Sequence, residues 1–261
     1  MSTAFNSRRS FIKKSTLAGI ASTGLSNLQL LSRERFKTTA KENNLTFLFQ
    51  GDSITDGNRG RGKDPNHVMG HGYAFSIASR AGANFPQKAN LFFNRGVSGN
   101  KITELAKRWQ ADTLELKPDV LSILVGINDT ESAVKQQDIV SAEPYEAVCR
   151  SLLTQTRTLF PNCLLVLCEP FILPVGRVKE NWNLWNDDMR KRQVVVGRLA
   201  KEFDAVFVPL QKVFNDATKL AAVDYWIWDG IHPTYSGHEL ITREWLKEVS
   251  GRLHFLHNMC I

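Results

Sequence analysis

Five short, almost uninterrupted apolar runs punctuate the chain, at 45–50 (LTFLFQ), 89–94 (ANLFFN), 120–125 (VLSILV), 163–168 (CLLVLC) and 205–210 (AVFVPL). None alternates apolar with polar residues, so each reads as a strand that must be covered on both faces. Between them apolar residues fall at helical spacing over 73–81, 102–110, 145–160 and 185–203, and a last helical pattern occupies 238–249. Strand and helix alternating in this way predict a single α/β domain, three layers deep, with a five-stranded parallel sheet between two layers of helices. No repeat, low-complexity stretch or Pro/Gly linker interrupts residues 45–254, which are expected to form that domain. Residues 1–44 read as a leader and spacer, and 255–261 as a C-terminal tail.

The net charge of +7 suggests a polyanionic partner until its distribution is considered. Residues 1–44 hold eight Lys/Arg against two acids, while the remainder carries 25 basic and 24 acidic residues. The expected domain is close to neutral, so nucleic acid is excluded as an implied partner. The basic start has its own logic. Arg8-Arg9-Ser10-Phe11-Ile12-Lys13-Lys14 precedes a weakly apolar stretch at 15–31, the order of a twin-arginine export signal. The protein is therefore expected to be exported, to a periplasm or beyond. That stretch is too short and polar for a stable membrane span, which takes about 20 mostly apolar residues.

Cys149, Cys163, Cys168 and Cys260 form no framework, and two of them bracket an apolar run, so burial as small hydrophobes is expected over pairing. His67 and His71 have the i, i+4 spacing of a helical metal pair, but Pro65, Gly70 and Gly72 place them in a loop. No metal or other cofactor is implied.

In open parallel sheets functional groups collect beyond the carboxyl ends of the strands, and four suggestive segments fall there. Gly51-Asp52-Ser53 follows the first strand. A serine hydroxyl there needs a neighbouring base to become a nucleophile; on its own, Ser53 or Asp52 is equally a helix cap. Asp229-Gly230-Ile231-His232 offers such a base. A carboxylate three residues ahead of an imidazole can accept from one ring nitrogen while the other faces a serine, although a solvated loop would read the same way. Gly99 follows the second strand and Asn128 the third, and glycine N–H groups and an amide are suitable donors to an oxyanion. Ser98, in Gly96-Val97-Ser98-Gly99-Asn100, is the second-choice nucleophile, since it comes nearest to a Gly-x-Ser-x-Gly elbow but lacks the last glycine.

Gly51-Asp52-Ser53, Gly99, Gly126-x-Asn128-Asp129 and Asp229-x-x-His232 together resemble, in order, the blocks of the GDSL or SGNH hydrolase family. The resemblance implies a flavodoxin-like α/β/α fold, with Ser53 as nucleophile, His232 as base and Asp229 as its partner. It also implies that Ser53, Gly99 and Asn128 form the oxyanion hole, with Asp52 and Asn94 as supporting residues behind them. Within the family the chain is most similar to bacterial acetylxylan, or xylo-oligosaccharide, esterases. The stretches GDSITDGNRGR, NRGVSGNKITELAKRWQADTLELKPDVLSILVGINDT and WDGIHPTYSGHELITREWL carry that likeness. It implies a small or oligosaccharide ester as substrate; the alternatives are a lipase or lysophospholipase of the same family and a non-catalytic carbohydrate-binding relative, which would need a broken triad, and a homo-oligomer stays open. Trp109, Trp226 and Trp228 are candidates to stack on a sugar face, or equally to fill core.

Overall fold

The computed structural model describes residues 41–136 and 142–259; the export signal expected before them lies outside the described residues. Five strands form: β1 (Thr46–Gly51), β2 (Leu91–Asn94), β3 (Val120–Leu124), β4 (Leu164–Cys168) and β5 (Val206–Val208). They pair in the order β2-β1-β3-β4-β5, every pair parallel. This is the α/β/α sandwich with a five-stranded parallel sheet that the apolar runs predict. The outer strands are shorter than expected. Ala89 takes a left-handed backbone at φ +46°, so β2 starts only at Leu91. Pro209 has no N–H for a ladder and sits just beyond the end of β5.

Because side chains alternate across a strand, the sheet feeds two separate cores. Phe47 and Phe49 of β1 face one, with Tyr73 and Ile77 of a helix at Tyr73–Asn84 and Ile241 and Trp245 of a helix at Tyr235–Ser250. Leu48 faces the other, with Ile102 and Leu105 of the helix Ile102–Lys107, Leu152 of Glu143–Leu159 and Leu199 of Trp182–Glu202. Trp109 follows Ile102 and Leu105 on that inward face and is 2% exposed. It is a core residue, so of the two roles open to it the contact with a sugar falls and core filling holds.

Two polar groups inside the sheet are matched rather than stranded. Trp245 Nε1 donates to Ser122 Oγ of β3 at 3.0 Å, and Gln50 Nε2 donates to Thr113 Oγ1 at 2.7 Å. Cys163 and Cys168 are buried free thiols, and burial pushes both up to about 12. The expected tail from residue 255 is instead partly built into the domain: Phe255 packs edge-on against Phe85, and Leu256 is fully buried. No helix among the described residues is long and apolar enough to cross a membrane.

Trp245 lies against both Phe47 and Phe49 and is fully buried. Trp245→Ala is expected to lower the unfolding free energy by about 3–5 kcal/mol in urea titration; a loss below about 1 kcal/mol would mean the core does not close around that ring.

Candidate active site

The carboxyl edge of the sheet gathers loops that are far apart in sequence. After β1 the chain turns at once into a four-residue helix, Ser53–Asp56, capped by Asp52, whose Oδ1 accepts from Ile54 N at 3.0 Å. This places Ser53 on the first turn, where a backbone N–H has no intrahelical acceptor and the helix end favours negative charge. Ser53 Oγ lies 2.9 Å from His232 Nε2, across 179 residues of sequence.

The loop that carries His232 is closed on itself. Ile227 and Pro233 form an antiparallel bridge, Trp228 N donates to His232 O, and Thr234 N donates to Trp226 O. Asp229 lies inside this loop. Its Oδ1 accepts from Ile231 N at 3.0 Å and His232 N at 2.7 Å, and its Oδ2 lies 2.8 Å from His232 Nδ1. Burial opposes ionisation of Asp229, but the hydrogen bonds from the His232 ring and the His232 and Ile231 amides outweigh it and hold the carboxyl well below the usual range. A charged Asp229 on Nδ1 favours the tautomer with its proton there, leaving Nε2 free to accept from Ser53. Serine, histidine and aspartate thus form one continuous hydrogen-bonded relay.

Gly99 and Asn128 reach the same edge. Gly99 adopts φ +80°, and Asn128 stands near the start of the helix Ile127–Gln136. Asn128 Nδ2 donates to Asn100 O at 3.1 Å, so one amide hydrogen fixes the side chain and a second is left over. Asn94 supports the loop between them: its Nδ2 donates to Thr55 O, Asp56 O and Met69 O, and its Oδ1 accepts from Gly96 N. Gly96 has to be glycine at this approach, since a Cβ would fall 2.3 Å from Asp56 N. Ser98 is bound elsewhere, its N and Oγ both donating to Asp56 Oδ2, at 3.0 and 3.4 Å.

The three tryptophans separate. Trp109 is interior, Trp226 packs against the core with its ring edge-on to Tyr225, and Trp228 is 61% exposed with its ring stacked beside His232, centroids 6.3 Å apart. His67 is paired with Asp64 at 2.6 Å, and no grouping of metal-ligating side chains occurs among the described residues.

Several residues at this edge had been given no role from sequence, Asp129 among them although it stands in the Gly126-x-Asn128-Asp129 block. Arg108 donates to Gly51 O, Arg95 O, Gln50 Oε1 and Asn100 Oδ1, tying the end of β1 to the Asn100 loop. His238 accepts from Tyr73 N at 3.2 Å; burial, then the neighbouring His71 and His232, push it down to about 4. Asp129 accepts from Ile102 N, and burial pushes it up to about 6 against the opposing Arg192. Arg177 donates to Asp229 Oδ2 at 2.6 Å. A helical or strand period marks none of these, because their partners come from other loops.

A parallel-sheet edge bearing a serine on a helix start, a histidine and a carboxylate in relay is the arrangement of α/β/α serine hydrolases. The chain belongs to the GDSL-like lipase/acylhydrolase family, which it matches over residues 49–240. It is 32% identical over 213 residues to an acetylxylan esterase of Geobacillus stearothermophilus, covering 78% of this chain and 93% of that one. Among solved structures, that acetylxylan esterase superposes with a TM-score of 0.70 at 32% identity, over 79% of this chain and 94% of that one. A GDSL-like lipase of Parabacteroides merdae superposes at 0.77 with 36% identity, over 83% of this chain and all of that one. The protein is a carboxylic ester hydrolase.

Asp52 supplies a test of this local geometry. It is 1% exposed, its Oδ2 has no hydrogen-bond partner within the protein, and burial pushes it up to about 7. A carboxyl raised in the folded state contributes stability below its unfolded value that is lost as pH rises through the folded one. Asp52→Asn keeps an acceptor for Ile54 N, so it is expected to be more stable than the parent at pH 8, the gap closing below pH 4. Urea unfolding across that range checks it; a variant equally destabilised at both ends would contradict it.

Proposed function

We propose that this esterase removes short acyl groups, acetyl foremost, from carbohydrates such as acetylated xylo-oligosaccharides, through an acyl-enzyme on Ser53. The observation that carries the proposal is the unbroken relay from Ser53 Oγ through His232 to Asp229. As Oγ attacks the acetyl carbonyl carbon, His232 Nε2 takes its proton, and Asp229 stabilises the imidazolium. The oxyanion develops toward the Ser53 and Gly99 N–H groups and the spare hydrogen of Asn128 Nδ2. The C–O bond to the sugar then breaks, and the sugar oxygen leaves with the proton held by His232. Water attacks acetyl-Ser53 in the same geometry, gives its proton to His232, and acetate departs as Oγ is reprotonated.

Two further observations support the carbohydrate part. Trp228 presents an exposed ring beside His232, where an aromatic face can cover the apolar side of a sugar. The Geobacillus relative is an acetylxylan esterase with catalytic mutants at one serine, one aspartate and one histidine, the last two spaced three apart, as Asp229 and His232 are. The Arg8-Arg9 motif supports export, which a fusion of residues 1–44 to a reporter active only outside the cytoplasm would test.

Ser53→Ala is expected to lower p-nitrophenyl acetate hydrolysis by about 10⁴-fold or more; near-parental turnover would end the nucleophile assignment. Across p-nitrophenyl esters the rate is expected to peak at acetyl, whereas a peak at octanoyl or longer would favour a lipase. Acetate release from acetylated xylo-oligosaccharides should exceed release from other acetylated glycans; equal or slower release would remove the xylan preference.

A further inference from the structure

Asp229 Oδ2 serves two donors. One is His232 Nδ1, and the other is the guanidinium of Arg177, whose Nη2 lies 2.6 Å away. Arg177 comes from the loop after β4 and is brought in by its backbone as well. Arg177 N donates to Asp229 O at 3.1 Å, and Leu173 N donates to Gly230 O at 3.0 Å, so the two loops are zipped together. The fit leaves no room for side chains at the crossing. Gly176 has φ +54°, and a Cβ there would fall 2.6 Å from Asp229 Cα; Gly230 has φ +94°, and its Cβ would fall 2.4 Å from Val175 O. The other arm of the guanidinium, Nη1, reaches Glu131 Oε1 at 3.4 Å, and Lys135 Nζ reaches the same oxygen at 2.8 Å. Glu131 and Lys135 belong to the helix Ile127–Gln136, near whose start Asn128 stands.

We infer that Arg177 is a positioning residue for the hydrolysis: it holds Asp229 Oδ2 in line with His232 and ties the triad loop to the helix that carries Asn128. This rests on the reading of Ser53, His232 and Asp229 as the catalytic relay. A planar fork can bridge two carboxylates, which a lysine ammonium on one point cannot do as well. The cation also neutralises part of the charge that Asp229 lends to the imidazolium. The groups facing this arrangement are Asp52 from the nucleophile turn, His238 from the helix Tyr235–Ser250, His71 ahead of the helix Tyr73–Asn84, and Glu131 and Lys135. Of these only Glu131 touches Arg177, and its removal should act in the opposite sense to removal of Arg177.

The test is the pH profile of kcat/KM for p-nitrophenyl acetate at low ionic strength, since Arg177 is partly exposed and its field is screened by salt. Arg177→Gln is expected to lower kcat by about 10- to 100-fold with little change in KM, and to move the acid limb upward by about 0.5 pH unit or more. Arg177→Lys should return the acid limb to the parental position while kcat stays below the parental value. Glu131→Gln, which leaves the Arg177–Asp229 bond in place, should move the limb downward. A merely structural role would lower kcat and thermal stability together without moving the limb. An unmoved limb in Arg177→Gln, no recovery in Arg177→Lys, or a limb in Glu131→Gln that rises or stays overturns the inference. Ser53→Ala run in parallel separates the two claims: activity in that variant overturns both, and loss of activity there with parental behaviour in all Arg177 and Glu131 variants overturns this one alone.

Discussion

A carboxylate that is only 5% exposed must find donors or give up its charge. Asp229 finds four: two backbone amides on one oxygen, and the His232 ring and the Arg177 guanidinium on the other. Meeting that demand shapes everything around it. The loop 227–233 is bridged at its ends, the glycines at 176 and 230 let two backbones pass in contact, and Arg177 crosses between them. The histidine ring is aimed by the same set of bonds that satisfies the carboxylate, so charge burial and orientation have one cause.

The parallel sheet makes this possible at a distance. Each strand delivers its loop to one edge, so Ser53, Gly99, Asn128 and His232 meet there although they are spread over 180 residues of sequence. What holds the loops in register is mainly hydrogen bonding to main chain. Asn94 binds three carbonyls and one amide, and Arg108 binds two carbonyls together with Gln50 and Asn100. These side chains fix the Gly96–Asn100 segment against the nucleophile turn, an arrangement in which rigidity is supplied by polar groups rather than by apolar packing.

Much of this was legible in the sequence, and the failures have identifiable causes. All five strands were marked by near-continuous apolar runs; their ends moved most at Ala89 and Pro209, and the edge strand β2 is not covered on both faces as expected, since Leu91 is exposed. The helices Ile127–Gln136 and Leu210–Ala217 escaped because both are short, and the second begins at Leu210, which the apolar run 205–210 had assigned to a strand. Trp109 had two roles open to it, and its spacing from Ile102 and Leu105 agrees with the core position it takes. Ser53, Asp229 and His232 were recognisable because they sit in compact local motifs. Arg177 was not, since it is 52 residues from Asp229 and nothing in its neighbourhood announces a partner. Motifs mark the candidate reacting groups; the side chains that hydrogen-bond to them from other loops become visible only once the loops are folded together.

We propose that Ser53 is the nucleophile that accepts the acyl group and that Ser98, bound to Asp56 instead of a histidine, is not. Covalent labelling separates them directly. The protein is treated with an organophosphate ester such as diethyl p-nitrophenyl phosphate, and the adduct is located by peptide mass spectrometry. The account predicts one diethylphosphoryl group per chain, on Ser53, with activity lost in proportion to labelling. An adduct on Ser98, or full inactivation with Ser53 unmodified, would contradict it.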